Sequence, residues 1–398
     1  MTSSAARSHP APPWLAERLQ AAGGSVPFRT YMQWALHDPL HGAYGSGRLQ
    51  VGPRGDFATS PSLGPDFAAL LAPQIAQWLE QQPADQPLAL VEAGPGEGDL
   101  ALQLAEQLAA GWPHLAARTT LLLIEPNAGM AERQRRRLEG APLPCRWLSA
   151  EELAAAPVDG VLLAHEVLDA LAVERIEWDG ASWRRQRVAL HVDQAAGPSL
   201  RLELGEFLEP DSTAQLAALG LWPAGSQRPP GWCTELHPEL GPWLQQAAAG
   251  LRSGVLLVID YAHEAWRYYA PQRCNGTLMA YRRQQASNDP LQEPGHWDLT
   301  AHLCIESLEA AAAASGWQPL GHRRQGEALL ALGLAQRLYE LQQQPAAELA
   351  NLLARRESLL RLVDPHTLGD FRWLAFARED GSAASIGSAL FLDDPPLG

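Results

Sequence analysis

The stretch from Leu88 to Glu125 constrains the fold of this chain more than any other. LALVEA is a short apolar run. Gly94, Gly96 and Gly98 follow at alternate positions, then the helical pattern LALQLAEQLAA, then a second apolar run, TTLLLIE, closed by Glu125. PVDGVLLAHE and GVLLVIDYA (Gly254 to Ala262) add two more apolar runs. Continuous apolar strands separated by helices are buried on both faces, which predicts a mainly parallel sheet covered by helices on each side.

A glycine turn between the first strand and its helix lets the backbone bend sharply and leaves room for a ligand beside free helix N–H groups. This is the arrangement of a Rossmann-like core. A dinucleotide fingerprint is G-x-G-x-x-G, but here Asp99 occupies the last position. Glu92, Glu97 and Asp99 would repel a pyrophosphate. They tolerate S-adenosylmethionine, which carries an ammonium and a sulfonium and no phosphate. Glu125 at the end of the second strand is placed to accept the hydroxyls of a ribose. The bland alternative is a ligand-free glycine turn with a solvated glutamate.

Composition narrows the function classes. The chain has 398 residues, 46% of them hydrophobic, enough for a large core. A net charge of −15 disfavours bulk nucleic-acid binding. The sequence contains no lysine, which excludes a lysine Schiff base and a Walker-type P-loop. Cys145, Cys233, Cys274 and Cys304 are scattered without a CxxC, so neither a disulfide framework nor a zinc knuckle is expected. With a Pro-rich N-terminus that lacks a secretory h-region, this predicts a cytoplasmic protein. No run approaches the roughly 20 apolar residues of a membrane span.

The expected organisation is a tail and helical region over 1–85, a cofactor-binding core over 86–180, an insertion over 181–250, and the remainder of the sheet with C-terminal helices and a terminal strand over 251–398. The helix from Asp66 to Gln82 places Phe67, Leu70, Leu71, Ile75, Trp78 and Leu79 on one face. WRRQRVALHV and SLRLELGEF read as antiparallel strands, helices dominate from Leu299 to Val363, and GDFRWLAFARE supplies the last strand.

AHEVLDAL follows the fourth core strand and carries His165, Glu166 and Asp169. Ligands of open α/β sheets sit outside the carboxyl ends of the strands, so this segment lies beside the glycine loop. On a helical turn Glu166 and Asp169 would face one way, and a carboxylate pair suits a guanidinium. The bland reading is a helix start with acidic first-turn residues. In GDFATSPSLGPDF, Asp56 reads as a turn and N-cap residue. In HWDLTAHLC, His296, Asp298 and His302 lack the further ligand of a recognisable metal site. Asp298 or Thr300 is expected to cap a helix there, and no metal is expected.

Taken together, PFRTYMQWALHDPLHGAYG, GDFATSP, EAGPGEGDL, AHEVLDAL, IDYAHEAWRYYAPQRCNGTLMAYRR, WDLTAHL and GDFRWLAFA resemble the MidA-like methyltransferase family. That family includes the mitochondrial complex I assembly factor that methylates an arginine. The resemblance covers about residues 26 to 378. It implies a class I methyltransferase core using S-adenosyl-L-methionine and a protein acceptor, an arginine in a respiratory-complex subunit. It also implies that Gly94, Gly96, Gly98 and Glu125 bind the cofactor, with Asp56 and Thr59 bordering it, and that His165, Glu166, Asp169, Asp260 and Tyr261 line the acceptor side. The chain departs from the family's common pattern at Ser62, where a Glu is usual, and at Ala262, where a Gly is usual. A methyltransferase for small molecules and a non-catalytic assembly chaperone are the competing readings. The carboxylates of Glu166 and Asp169 argue against the second.

Overall fold

The computed structural model describes residues 8–49, 52, 55, 58–193, 195, 197–221, 228–345, 349–379 and 388–396. Among these residues, seven strands form the central sheet: β1 (Leu88–Ala93), β2 (Thr119–Ile124), β3 (Cys145–Leu148), β4 (Val158–His165), β5 (Leu251–Asp260), β6 (Gln318–Arg324) and β7 (Arg372–Arg378). Their order is 3-2-1-4-5-7-6. β3, β2, β1, β4 and β5 run parallel, and β7 is antiparallel to both of its neighbours. The strand order reverses at β1, which opens a crevice at the carboxyl ends of β1 and β4.

Both faces are covered, as strands this apolar require. On one face lie α1 (Asp66–Glu80), α2 (Asp99–Gly111) and the helix Leu349–Val363. The six apolar residues expected on the inner side of α1 are all buried. Helices Leu240–Gly250 and Ile305–Ala314 cover the other face. Arg337 and Arg355 converge from the C-terminal helices on buried Asp66, at 2.6 to 2.9 Å, and so tie those helices to the start of α1.

A second, antiparallel sheet stands beside the first. Its long ribbon, Trp183–Asp193 against Gly197–Phe207, is the antiparallel pair expected from the sequence. Strands Glu174–Trp178 and Trp232–Leu236 extend it, and Ser25–Pro27 joins from the N-terminal region. Helices Pro13–Ala21 and Phe28–His37 pack Leu15, Leu19, Phe28, Tyr31 and Met32 into the core of this unit with Val188 and Leu200.

Helices dominate from Leu299 to Val363 as expected, but β6 interrupts them, unannounced because QPLGHRR is a polar edge strand without the alternation that marks a half-buried one. One local expectation fails. Neither Asp298 nor Thr300 caps a helix. Both lie in a short strand, Asp298–Thr300, that pairs with Met279–Arg282.

The middle of the sheet depends on two glycines. Gly160 pairs with Ala89 on one side and with Gly254 on the other. Both have φ of +145°, and a Cβ at either would overlap a neighbouring carbonyl oxygen, Ala89's or Gly160's. Gly160→Ala should therefore lose on the order of 1–3 kcal/mol from backbone strain alone, with the overlap adding to it. Gly241→Ala, in a helix with nothing near the added methyl, should range from neutral to about 1 kcal/mol more stable. Urea unfolding midpoints of the two variants decide the point, and equal shifts would refute the close-approach account.

Candidate active site

The loop after β1 is a turn that only glycines accommodate. Gly94, Gly96 and Gly98 have φ of 58°, 55° and 87°, and Gly98 leads directly into α2. Glu92, the penultimate residue of β1, is buried, and its Oε2 has no hydrogen-bond partner. Burial, and secondarily Asp99, push its carboxyl up to about 8. At the end of β2, Glu125 accepts the N–H of Asn127 at 2.8 Å and the Gln134 amide at 3.0 Å. The same Gln134 nitrogen donates to the Gly96 carbonyl at 2.8 Å, so one side chain braces both the loop and the acid. Burial holds the Glu125 carboxyl above its ordinary range against these bonds.

The other two loop acids are not aimed at a ligand. Glu97 receives a two-pronged bond from Arg133, both arms 3.0 Å, and Asp99 pairs with Arg137. The Arg-rich helix after β2 thus neutralises the charge that, in the sequence, argues against a pyrophosphate. Glu92, protonated up to about 8, does not carry that argument near neutral pH either.

Thr59 sits in a buried turn in which the Ser62 hydroxyl accepts its N–H and donates to its carbonyl. The turn packs on α2 through a bond from Gln103 to the Pro61 carbonyl. Asp56 lies outside the described residues.

The residues expected on the acceptor side gather where β4 and β5 end. Glu166 and Asp169 are not on a helical turn: Glu166 has φ of 53°, and the segment after it is an irregular turn. The Glu166 N–H bonds the Ile259 carbonyl at 2.9 Å. Asp260, fully buried, accepts the N–H groups of Leu168 (3.0 Å) and Asp169 (3.1 Å) on one oxygen and that of Tyr261 (2.8 Å) on the other. Asp260 is therefore the clamp that shapes the turn.

Buried Glu166 has an oxygen, Oε1, without a hydrogen bond. Burial and the nearby Asp169, Asp260 and Asp298 raise its carboxyl well above the ordinary range. Burial also raises Asp169, and burial together with Asp169 raises Asp260. Among the described residues no arginine is among the charges that shift Glu166, Asp169 or Asp260. Three tyrosines face this acidic cluster. Burial first, and then the neighbouring carboxyls, Asp298 and Asp169 among them, raise the hydroxyls of Tyr44 and Tyr281, and burial with Glu166 and Asp169 raises that of Tyr261. Burial lowers His165 to about 3, so it is neutral beside Glu166 and packs on Phe67. His302 packs between Tyr261 and His263. Among the described residues no group of three or more His, Cys, Asp or Glu is arranged to hold a metal ion.

A glycine turn and an acid-ended second strand thus lie at the switch point, beside a second group of buried acids. The family model described as S-adenosyl-L-methionine-dependent methyltransferase matches residues 70–323, well over half of the chain. The chain belongs to this methyltransferase family.

A solved structure indicates the same cofactor. A superfamily member from Burkholderia thailandensis, assigned as a methyl transferase and bound to S-adenosyl-homocysteine, is 28% identical to this methyltransferase. It covers 98% of this chain and 99% of its own, with a TM-score of 0.82. The methyltransferase uses S-adenosylmethionine. Among curated relatives, a Drosophila melanogaster protein named protein arginine methyltransferase NDUFAF7 homolog, mitochondrial, is 27% identical over 91% of this chain and 84% of its own. The Homo sapiens protein of that name is 25% identical over 87% and 78%. These relatives overturn the cytoplasmic placement expected from the sequence, because both are named as mitochondrial. Scattered cysteines report a reducing medium and do not distinguish one reducing compartment from another.

Tyr44, Asn127, Tyr281 and the acceptor-side position of Asp298 are missed by sequence reasoning. Tyr44 lies in HGAYG, a motif with no chemistry of its own, and Asp298 reads as a cap. The buried oxygen of Glu92 fits a ligand ammonium. Such pairing needs the carboxylate, and Glu92 holds its proton up to about 8. Affinity for S-adenosyl-homocysteine should therefore rise from pH 6 to 7.5, below the range in which an α-amino group itself deprotonates. Glu92→Gln should flatten that rise, and calorimetry across this range is the measurement. A wild-type affinity that falls with pH would contradict it.

Proposed function

We propose that this methyltransferase methylates the guanidinium of an arginine in a protein acceptor. The observation that carries the reading is the group of buried carboxyls, Glu166, Asp169 and Asp260, gathered, among the described residues, with no arginine shifting them. Buried acids of one sign are unfavourable unless a cation joins them, and a guanidinium offers five donors in a planar fork. The names of the curated relatives support the same acceptor class. The family resemblance extends it to a subunit of a respiratory complex.

In this reading Gly94, Gly96, Gly98, Glu92 and Glu125 hold the cofactor, and Thr59 and Asp56 border it. The bound cofactor supplies a methyl on a sulfonium. Glu166 and Asp169 hold the acceptor guanidinium, which is protonated on arrival because its pKa exceeds 12. They draw its charge away from the attacking nitrogen and take or relay the proton lost there. Asp260 fixes both carboxylates by holding the backbone of the turn. Tyr261 walls the site, and neutral His165 backs Glu166 without competing as a cation.

Removing the Glu166 charge with Glu166→Gln, or that of Asp169 with Asp169→Asn, should slow single-turnover methyl transfer on the order of 10²–10⁴-fold. Cofactor affinity should change little, since the cofactor is held from β1 and β2. Because burial raises these carboxyls, protonation disables the site at a higher pH than for an ordinary carboxylate. The acid limb of kcat/KM should therefore lie well above about 3.9, the ordinary aspartate value, and activity should rise with pH through it. Mass spectrometry of proteins methylated by the purified enzyme in a knockout extract identifies the acceptor. Methylation confined to a small molecule or to a residue other than arginine would sink the proposal. So would wild-type rates in both variants.

A further inference from the structure

We propose that Asn127 is a positioning residue that ties the cofactor-binding end of β2 to the Tyr44 cover of the acceptor site, so that binding the cofactor firms the cover. The inference rests on reading Glu125 as part of the cofactor side and the acid cluster as the acceptor side.

Asn127 uses its backbone and its amide in three directions. Its N–H donates to Glu125 at 2.8 Å. Its Oδ1 accepts the N–H of Met130 at 2.9 Å and caps the helix Ala128–Arg137. Its Nδ2 donates to the carbonyls of Tyr44 at 3.1 Å and Gly45 at 2.7 Å. A side chain that accepts at a helix cap and donates twice to another segment must be an amide. Asp, Ser and Thr can cap but cannot supply both donors.

The segment that receives these bonds spans the two halves of the site. The N–H groups of Ala43, Tyr44 and Gly45 bond back to the carbonyls of Ala35 and Leu36, so the segment is folded onto the helix Phe28–His37. At its start, His41 stacks on Trp14 at 5.0 Å, and its carbonyl approaches Gly295 so closely that a Cβ there would overlap it. At its end, Gly47 faces Asn127 and Arg133. In the middle, the Tyr44 ring lies against the acid cluster, beside Asp298 and Asp169. Tyr44 is thus held by its carbonyl from the cofactor side and places its hydroxyl among the carboxyls of the proposed acceptor side. A ribose engaged by Glu125 would immobilise residues 125–127 and, through the Asn127 amide, the cover. The segment is docked already, so suppressing its rare openings requires little change in cofactor affinity.

The experiment is amide hydrogen exchange on the full chain, with S-adenosyl-homocysteine as the probe and no methyl acceptor. Saturating probe should slow exchange at residues 43–45 at least tenfold in the wild type. In Asn127→Ser, which keeps a helix cap and loses both donors, that slowing should shrink to less than threefold. Probe affinity should stay within threefold of wild type, and exchange in the helix Ala128–Arg137 should be unaltered. With an arginine acceptor in hand, the same variant should raise its KM about tenfold and leave kcat within about twofold. A purely structural loosening would instead speed exchange equally with and without the probe, and that outcome overturns the proposal. So does a wild-type segment indifferent to the probe, or a Ser variant that keeps the full slowing. Failure of the arginine reading would appear only in the acceptor assay and would leave the exchange result standing.

Discussion

The site depends on an unfavourable act, the burial of like charges at the carboxyl ends of β4 and β5. A carboxyl removed from water is destabilised unless it is protonated or paired. Asp66, equally buried, is saturated by Arg337 and Arg355, and Glu97 and Asp99 each have an arginine of their own. At these three acids a cation is supplied. Among the described residues none is among the charges that shift Glu166, Asp169 or Asp260. What holds those three in place is backbone: three N–H groups on Asp260 and a left-handed residue at Glu166. Such strain persists only where the surroundings over-determine it, here the fully buried ends of two central strands.

That requirement explains the division of labour between the two sheets. The parallel sheet supplies rigid strand ends at which a glycine turn and two acids meet. The antiparallel unit, with the N-terminal helices packed on it, carries the segment that reaches over those ends. The cofactor half is thus built within one stretch of sequence, from Leu88 to Arg137. The proposed acceptor half is assembled from Tyr44, Glu166, Asp169, Asp260, Tyr281 and Asp298, which are far apart along the chain.

This difference decides what could be read in advance. The strands of the core and the inner face of α1 follow from local periodicity, and the glycine turn follows from residue type, so these were legible. Glu166 and Asp169 were legible as acids at a strand end. Their shared helical face was not, because the turn is set by Asp260 some ninety residues later. Glu97 and Asp99 misled, since sequence lists charges without their partners, and the partners stand on the next helix. The polar strand β6 escaped notice because an edge strand need not alternate. Nothing in the sequence singles out Asn127; its cap and its second use are visible only once the fold lays HGAYG beside it.

The position of β7 has a consequence for how the molecule is made. β7 lies between β5 and β6 in space but follows both in the chain. Among the described residues β6 pairs with β7 alone, so when β6 emerges during synthesis its partner does not yet exist. β1 to β5 can assemble from crossovers completed in turn, which leaves β5 as a provisional, apolar edge until some hundred further residues have been made. An exposed edge of that kind is a template for wrong pairing between chains. The late arrival of β7 and β6 together is then the step at which nascent copies compete between finishing the sheet and sticking to one another.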